Sequence, residues 1–339
     1  MSSKINFSRI LIVRTDRMGD VVLTTPFIKA LRRAYPAAHI ATLVKPETKD
    51  LVIGNPYLDE VLVDDRAGRH KGVPGALRLA REIRRGNFDT AFILHTKRRY
   101  NFACFLAGVP ARIGYRNDKM GFLLTHPLKD VRHLGEKHES EYCLDVLKGV
   151  GIPADIEDVL GVLVPVHKDA DTWVLNWLNS QGIKAGEFIA MHPGASDPAK
   201  CWPAASFAAL IRRLIDRYDF KVVLIGGPQT VTICGEIMRL CPASVMDLSG
   251  RTSVAQSAAL LSRCRLLISN DSGPVHLAAG VGVFVISLFL RDQPGINPKR
   301  WKPLGPKGFF LSTDSVTVDK VLDLVEDILH KDSQGIFYW

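Results

Sequence analysis

Two doubly wound parallel α/β domains are what this 339-residue sequence predicts. Short β-branched or leucine-rich runs alternate with helix-length segments along the whole chain. Alternation of that kind implies parallel sheets covered by helices on both faces. The pattern restarts after Gly149-Val150-Gly151-Ile152-Pro153 and an irregular segment, and the length exceeds what one small core organises. The boundary is placed near residue 165, giving domains 1–165 and 166–339.

In the first domain, strands are expected at Arg9–Arg14, His39–Val44, Glu60–Val63, Thr90–Leu94 and Ala111–Gly114. Helices are expected at Asp20–Ala34, Pro74–Arg85 and Glu136–Lys148. The second of these carries Ala76, Leu79, Ala80 and Ile83 as one stripe, with Arg78, Arg81 and Arg85 opposite. In the second domain, strands are expected at Phe188–His192, Phe220–Ile225, Ser244–Leu248, Arg265–Ser269 and Phe284–Leu288. Helices fall at Ala204–Arg217, Val231–Leu240 and Val254–Ser262, with another beginning near Val275. A last helix, Val318–His330, is expected to pack back toward the first domain. Asp169-Ala170-Asp171 precedes the helix carrying Trp173, Leu175 and Trp177, where N-terminal capping suits it better than a metal–diphosphate role.

Composition narrows the partners. Apolar residues make up 47% and charged residues 23%, as in a soluble globular protein. The longest nearly uncharged stretch, Leu277 to Leu290, is broken by glycines and too short to span a bilayer. Met1-Ser2-Ser3-Lys4-Ile5-Asn6 lacks a signal-peptide core and runs into a strand, so a cytoplasmic location is expected. The net charge is +9, and residues 1–150 hold 26 Lys and Arg against 16 Asp and Glu, the remainder 18 against 19. A surplus confined to one half points to an anionic partner of that half, either nucleic acid or a phosphorylated molecule at a membrane surface. No stacking aromatics are interleaved with the arginines, which disfavours nucleic acid. Cys104, Cys143, Cys201, Cys234, Cys241 and Cys264 show no C-x-x-C pairing and sit in apolar segments, as reduced core thiols do. No His, Cys or Asp cluster has metal-ligand spacing, and no catalytic metal is expected.

In an open parallel sheet, ligands bind beyond the carboxyl ends of the strands, so the loops after strands carry the candidates. Arg14-Thr15-Asp16-Arg17-Met18-Gly19-Asp20 follows the first strand without G-x-G-x-x-G spacing. Asp20 suits a helix cap, yet its charge disfavours phosphate at this turn and suits acceptance of a proton from a substrate hydroxyl. His192-Pro193-Gly194 through Lys200-Cys201-Trp202-Pro203 follows the second domain's first strand, and Lys200 supplies charge for a departing diphosphate. Gly226-Gly227-Pro228-Gln229 is a tight turn that puts Gln229 where a ribose could be bound. Asp247 through Ser253 ends a strand, with Thr252 or Ser253 capping the next helix and offering backbone groups to a base. Asp271-Ser272-Gly273-Pro274-Val275-His276 is a strand-to-helix turn whose amides and Ser272 hydroxyl form a seat for phosphate. Basic patches occur at Arg66, Arg69, His70 and Lys71; at Lys97, Arg98 and Arg99; and at Arg112, Arg116 and Lys119.

These loops, in this order, resemble glycosyltransferase family nine, the lipopolysaccharide heptosyltransferases. The likeness rests on Arg14…Gly19-Asp20 with Thr24-Thr25-Pro26 and Leu31-Arg32-Arg33-Ala34-Tyr35-Pro36. It rests further on His192-Pro193-Gly194…Lys200-Cys201-Trp202-Pro203 and on Ser269 through Ala279. The resemblance implies a GT-B fold of two Rossmann-like domains and an inverting, metal-independent transfer of heptose from an ADP-sugar. No cofactor is implied beyond that co-substrate. It gives Asp20 the base role and Lys200 the diphosphate, and places Ser196, Gln229, Thr252, Asp271, Ser272, Gly273 and His276 at the nucleotide sugar. Arg66, Arg69, Lys71 and Lys119 fall where the family handles a phosphorylated, lipid-linked inner-core acceptor. Lys97 and Arg98 are expected at the same acceptor from their charge, and peripheral contact with the inner face of an anionic membrane is expected to follow. Three positions depart from the family pattern: Leu290-Arg291-Asp292-Gln293-Pro294, Gln229 where glutamate is common, and Tyr142 near an expected arginine. They leave open another nucleotide sugar or glycan acceptor, and a nucleotide-sugar epimerase shares the fold.

Overall fold

The computed structural model describes residues 5–241 and 245–336. Met1–Lys4 and Ser244, on which expectations were drawn, lie outside the described residues. The chain divides into two compact units, Met1–Pro165 and Val166–Trp339.

The first unit contains β1 (Arg9–Val13), β2 (His39–Val44), β3 (Glu60–Val63), β4 (Thr90–Ile93), β5 (Ala111–Arg116) and β6 (His126–Lys129). They form one parallel sheet in the order β3-β2-β1-β4-β5-β6. β1 is central, Ile10 lying opposite Ile40 on one side and Thr90 on the other. Its Ile10-Leu11-Ile12-Val13 run is wholly buried, as a strand covered on both faces demands. The helices are α1 (Met18–Val22), α2 (Thr25–Ala34), α3 (Gly72–Arg85), α4 (Arg98–Leu106), α5 (Glu139–Lys148) and α6 (Ile156–Val159). Leu79 and Ile83 of α3 and Tyr100 and Ala103 of α4 pack on Leu11, Val13, Leu43 and Ile93. Each fully buried Leu or Ile contributes roughly 1.5–3 kcal/mol.

The single helix expected over Asp20–Ala34 is two helices, because Pro26 has no amide to donate to Val22. The hydroxyl of Thr25 bonds that carbonyl instead, at 2.7 Å. The break lets α1 carry Asp20 while α2 buries Phe27, Ile28 and Leu31.

The second unit repeats the topology. Its strands are β7 (Phe188–His192), β8 (Lys221–Leu224), β9 (Val245–Asp247), β10 (Leu266–Asn270), β11 (Phe284–Phe289) and β12 (Gly308–Ser312). All pair in parallel in the order β12-β11-β10-β7-β8-β9. Counted within the unit, this is again the 3-2-1-4-5-6 order of a dinucleotide fold. Its helices are α7 (Lys168–Ser180), α8 (Ala204–Tyr218), α9 (Val231–Leu240), α10 (Val254–Arg263), α11 (Gly273–Gly280), α12 (Pro298–Trp301) and α13 (Val318–Ser333). Val321, Val325 and Ile328 of α13 share a core with Leu210 and Leu214 of α8, so this helix packs within its own unit. Asp171 of the D-x-D triplet bonds Arg263 through both oxygens, at 2.9 and 2.7 Å, a structural role.

Two strands, helix α4 and the one-turn helices α6 and α12 were not expected. β6 and β12 each lie at one edge of their sheet, the opposite edges being β3 and β9, and β6 reads His-Pro-Leu-Lys with alternate residues exposed, a weak signal in sequence. Helix α4 begins at Arg98, inside what reads as a charged loop.

Candidate functional site

Each sheet has a switch point where neighbouring strands are not consecutive: β1 beside β4 in the first unit, β7 beside β10 in the second. Loops after such strands diverge and leave room for ligand.

In the first unit, the loop after β1 carries Arg14, only 2% exposed and ringed by three carboxylates. Its Nη2 donates to Asp20 Oδ1 and to Glu139 Oε1, each at 2.9 Å, while Nε lies 3.0 Å from Asp16 Oδ1. The second oxygen of Asp20 accepts from the Arg17 amide at 3.3 Å, so Asp20 is both a helix-start partner and an ion partner. Its side chain stays 16% exposed, which leaves it open to a substrate. Burial pushes Asp20 from 3.8 up to about 6; the charge of Asp16 adds to the rise and Arg14 opposes it. Burial raises Asp16 in the same way. Asp20 is therefore ionised at neutral pH and more basic than an ordinary aspartate.

Glu139 comes from the start of α5, 125 residues from Arg14 in sequence. The turn that delivers it is pinned by Tyr142, whose buried hydroxyl accepts from the amides of Glu136 and Lys137 at 3.1 and 3.3 Å. That is the task of the tyrosine near which an arginine was expected. The loop after β4 is joined to the loop after β1 by Thr15 Oγ1 and His95 Nδ1, 2.8 Å apart. Burial, and then the charge of Lys97, holds His95 down at about 3, so its ring is neutral.

The expected acceptor residues are all exposed. Arg66 lines a cavity of about 720 Å³ with Lys45, Asp64 and Arg99. Arg69 pairs with Glu82, and Lys71 immediately precedes α3. Lys97 and Arg98 open α4, and Lys119 is held by its carbonyl, which accepts from Asn101 at 2.9 Å. Two further residues of these patches serve the fold. Arg99 grips Asp64 at 2.9 and 2.8 Å and the His70 carbonyl at 2.8 Å. Arg112 donates to the Leu123 carbonyl at 2.8 Å.

In the second unit, Asn270 at the end of β10 ties the two switch-point loops together. It is fully buried, donates to the Pro193 carbonyl at 2.6 Å and accepts from the Trp202 amide at 3.0 Å. The loop so held brings Lys200 Nζ to 2.6 Å from Asp271 Oδ2, both largely buried. Burial raises Asp271, and the Lys200 ammonium counteracts the rise. The hydroxyl of Ser272, expected as a phosphate donor, is engaged inside the protein, 2.9 Å from the Asn270 carbonyl and 3.1 Å from His192 Nδ1. Burial holds His192 down at about 4, so this ring too is neutral. Because Ser272 makes no side-chain cap for α11, the positive N-terminal end of that helix starts bare of one at Gly273. His276 lies buried in α11 with its ring beside Trp301.

Ser196 is exposed in the loop after β7. Gln229 is exposed on the turn after β8, and Thr252 follows β9 with its hydroxyl 2.9 Å from that of Ser257; Ser253, not Thr252, caps α10. Both thus lie farther from the switch point than Lys200 and Asp271. Arg291, from the segment that departs from the family pattern, pairs with Asp197 at 3.0 Å and brings a second cation to the Lys200 loop. No role was assigned from sequence to Arg14, Glu139, Asn270 or Arg291, although Arg14, Asn270 and Arg291 lie within the motifs named there.

A model of glycosyltransferase family 9 (heptosyltransferase) matches residues 76–318. Lipopolysaccharide heptosyltransferase 3 of Escherichia coli K12 is 29% identical over 286 residues, covering 80% of this chain and 79% of that protein. Among solved structures, a family 9 glycosyl transferase from Veillonella parvula superposes with a TM-score of 0.83 at 25% identity, over 96% of this chain and 93% of that one. The ADP-heptose lps heptosyltransferase II of Escherichia coli superposes at 0.80 with 22% identity, over 96% and 99%. Those likenesses match the GT-B arrangement of two parallel six-stranded sheets with helices.

Proposed function

The chain belongs to glycosyltransferase family 9 and is a glycosyltransferase; we propose that it moves a heptose from ADP-heptose to a hydroxyl of a phosphorylated lipopolysaccharide inner core, with inversion and without a metal. The relatives are named for heptose transfer onto lipopolysaccharide, and one for ADP-heptose as donor. The observation that carries the reading is the polarity of the two switch points. One presents an accessible, unusually basic carboxylate, and the other presents a lysine and a helix N-terminus.

In this mechanism the acceptor hydroxyl gives its proton to Asp20 as its oxygen attacks the anomeric carbon of the donor. The bond from that carbon to the diphosphate oxygen breaks on the opposite face, so the anomeric configuration inverts. ADP leaves with the bonding electrons. Lys200, held in place by Asp271 through one of its three N–H donors, offers the others to the departing charge. Amides at the start of α11 add to that stabilisation. Arg14 and Glu139 hold Asp20 in place, and the carboxylate excess of that turn keeps the diphosphate away from it. Arg66, Arg69, Lys71, Lys97, Arg98 and Lys119 supply the field that attracts acceptor phosphates. Among the described residues no helix is long and apolar enough to cross a membrane, and the proposed site of work is the cytoplasmic face of the membrane, by peripheral contact.

The test is incubation with ADP-heptose, with and without a phosphorylated inner-core acceptor. Heptosyl product of inverted configuration by NMR, undiminished by EDTA, is expected. Retained configuration, a strict divalent-ion requirement, or isomerised donor in the absence of acceptor overturns the respective part. ADP-heptose should also raise the melting temperature where UDP- and GDP-sugars do not.

A further inference from the structure

Of the first unit's exposed large apolar side chains, several gather on neighbouring elements, α3, α4 and the turn Gly121–Leu123. Val73 is 74% exposed, Leu77 36%, Phe102 37%, Phe105 48% and Phe122 71%. Val73, Leu77 and Phe102 line the same cavity wall, so the solvent sides of α3 and α4 meet there. Phe102 and Phe105 are three apart on α4 and share a face. Arg112 lies with its guanidinium 5.5 Å over the Phe105 ring and donates to the Leu123 carbonyl, which joins that face to the turn bearing Phe122. No core requirement explains these positions, since both helices already bury Leu79, Ile83, Tyr100 and Ala103.

The same face is strongly basic. On α3, Arg81 follows Leu77 by four residues, and on α4, Arg98 precedes Phe102 by four, so each apolar stripe continues into an arginine. Lys71, Arg78, Arg116 and Lys119 flank it, all exposed, against the acidic Glu47, Asp65 and Asp118. Apolar side chains on adjoining elements, rimmed by cations, are what an anionic bilayer fits: the rings enter the headgroup layer while the arginines meet lipid phosphates. A nucleic acid would match the charge but leave Val73 and Leu77 without a partner.

We propose that the α3–α4 face, with Val73, Leu77, Phe102, Phe105 and Phe122 as the inserted wedge, docks the first unit on an anionic phospholipid surface. This rests on the peripheral-membrane part of the proposed function and gives it a surface. The basic face draws the protein to the bilayer, and the wedge adds a contact that salt does not screen.

The test is co-sedimentation with phosphatidylethanolamine–phosphatidylglycerol vesicles, using phosphatidylcholine vesicles as the neutral comparison. The parent protein should bind the anionic vesicles and not the neutral ones. F102S/F105S, at exposed positions, should bind at least about tenfold more weakly at every salt concentration. R81E should weaken binding chiefly at low salt, where charge attraction dominates. Equal binding by F102S/F105S overturns the proposal. So does a parent dimer in size-exclusion chromatography that F102S/F105S converts to monomer, because a second copy would then cover the face. Transfer to a deacylated, water-soluble acceptor separates the two readings: it should be unchanged in F102S/F105S. Its absence in the parent protein strikes the assigned reaction and leaves vesicle binding to be judged alone.

Discussion

Asp20 is held as a partly buried anion, and that position should be paid for in stability. Asp20→Asn keeps the size and an acceptor oxygen for Arg14 while removing the charge. In the fold, Asp20 gives up its proton near pH 6, whereas the unfolded chain gives it up near 3.8. Between those values the folded protein binds more protons than the unfolded one, so stability falls as pH rises through the window, and the loss is complete above it. Two units correspond to about 3 kcal/mol at neutral pH. The asparagine variant should recover up to that amount, raising the melting temperature by roughly 4 °C for a chain of this size.

The same substitution should reduce transfer by at least about a hundredfold, because the proton acceptor is lost. Donor binding should stay intact. The assay is urea or thermal unfolding across the pH window for both proteins, alongside kcat/KM, whose acidic limb in the parent should fall near pH 6. A variant no more stable than the parent at neutral pH, or one whose stability declines just as steeply from pH 3.8 to about 6, refutes the claim that burial strains this carboxylate. Comparable turnover removes Asp20 from the base role.

Glu139→Gln removes a negative charge that raises Asp20, so the acidic limb of kcat/KM should move to lower pH with donor KM unchanged; a limb that stays put uncouples the two. Lys200→Ala should lower kcat by roughly a hundredfold or more and weaken donor binding, and unchanged kinetics dismiss the diphosphate contact. Asn270→Ala strands the Pro193 carbonyl and the Trp202 amide in a buried site, a cost of about 2–4 kcal/mol in urea unfolding together with a raised donor KM. Full stability in that variant means the two loops are held by something else.

The internal strands could be read from sequence because burial on both faces leaves near-continuous apolar runs such as Ile10–Val13 and Leu266–Ile268. β6 and β12 lie at sheet edges without that pressure, as β3 and β9 do, but β3 keeps the apolar run Val61-Leu62-Val63 whereas Pro127 in β6 argues against a strand to any local rule. Helix α4 was hidden because its solvent side carries Phe102 and Phe105, which blurs the 3.6-residue pattern. At the candidate site, Asp20 and Lys200 could be proposed from sequence since each lies beside turn residues, Gly19 for the one and Pro198 for the other. Glu139 and Asn270 act only through partners distant in sequence, and nothing local distinguishes them. Charge counting likewise could not tell Arg99, spent on Asp64, from Arg98, left in solvent.

One topology is used twice here, with opposite electrostatic sign. Asp16 after β1, Asp20 in α1 and Glu139 at the start of α5 set three carboxylates on one guanidinium, and on the proposed reading their surplus negative charge keeps a basic oxygen available while disfavouring phosphate. After β7 and β10 the corresponding loops gather a lysine and a helix N-terminus around one aspartate, and anions are favoured. Placing either set on the other sheet would fail chemically: a diphosphate beside Asp16, Asp20 and Glu139 would be repelled, and a proton acceptor beside Lys200 would lose its basicity. On the proposed reading, the division of labour between the units follows from a few side chains at each switch point, not from the shared fold that displays them.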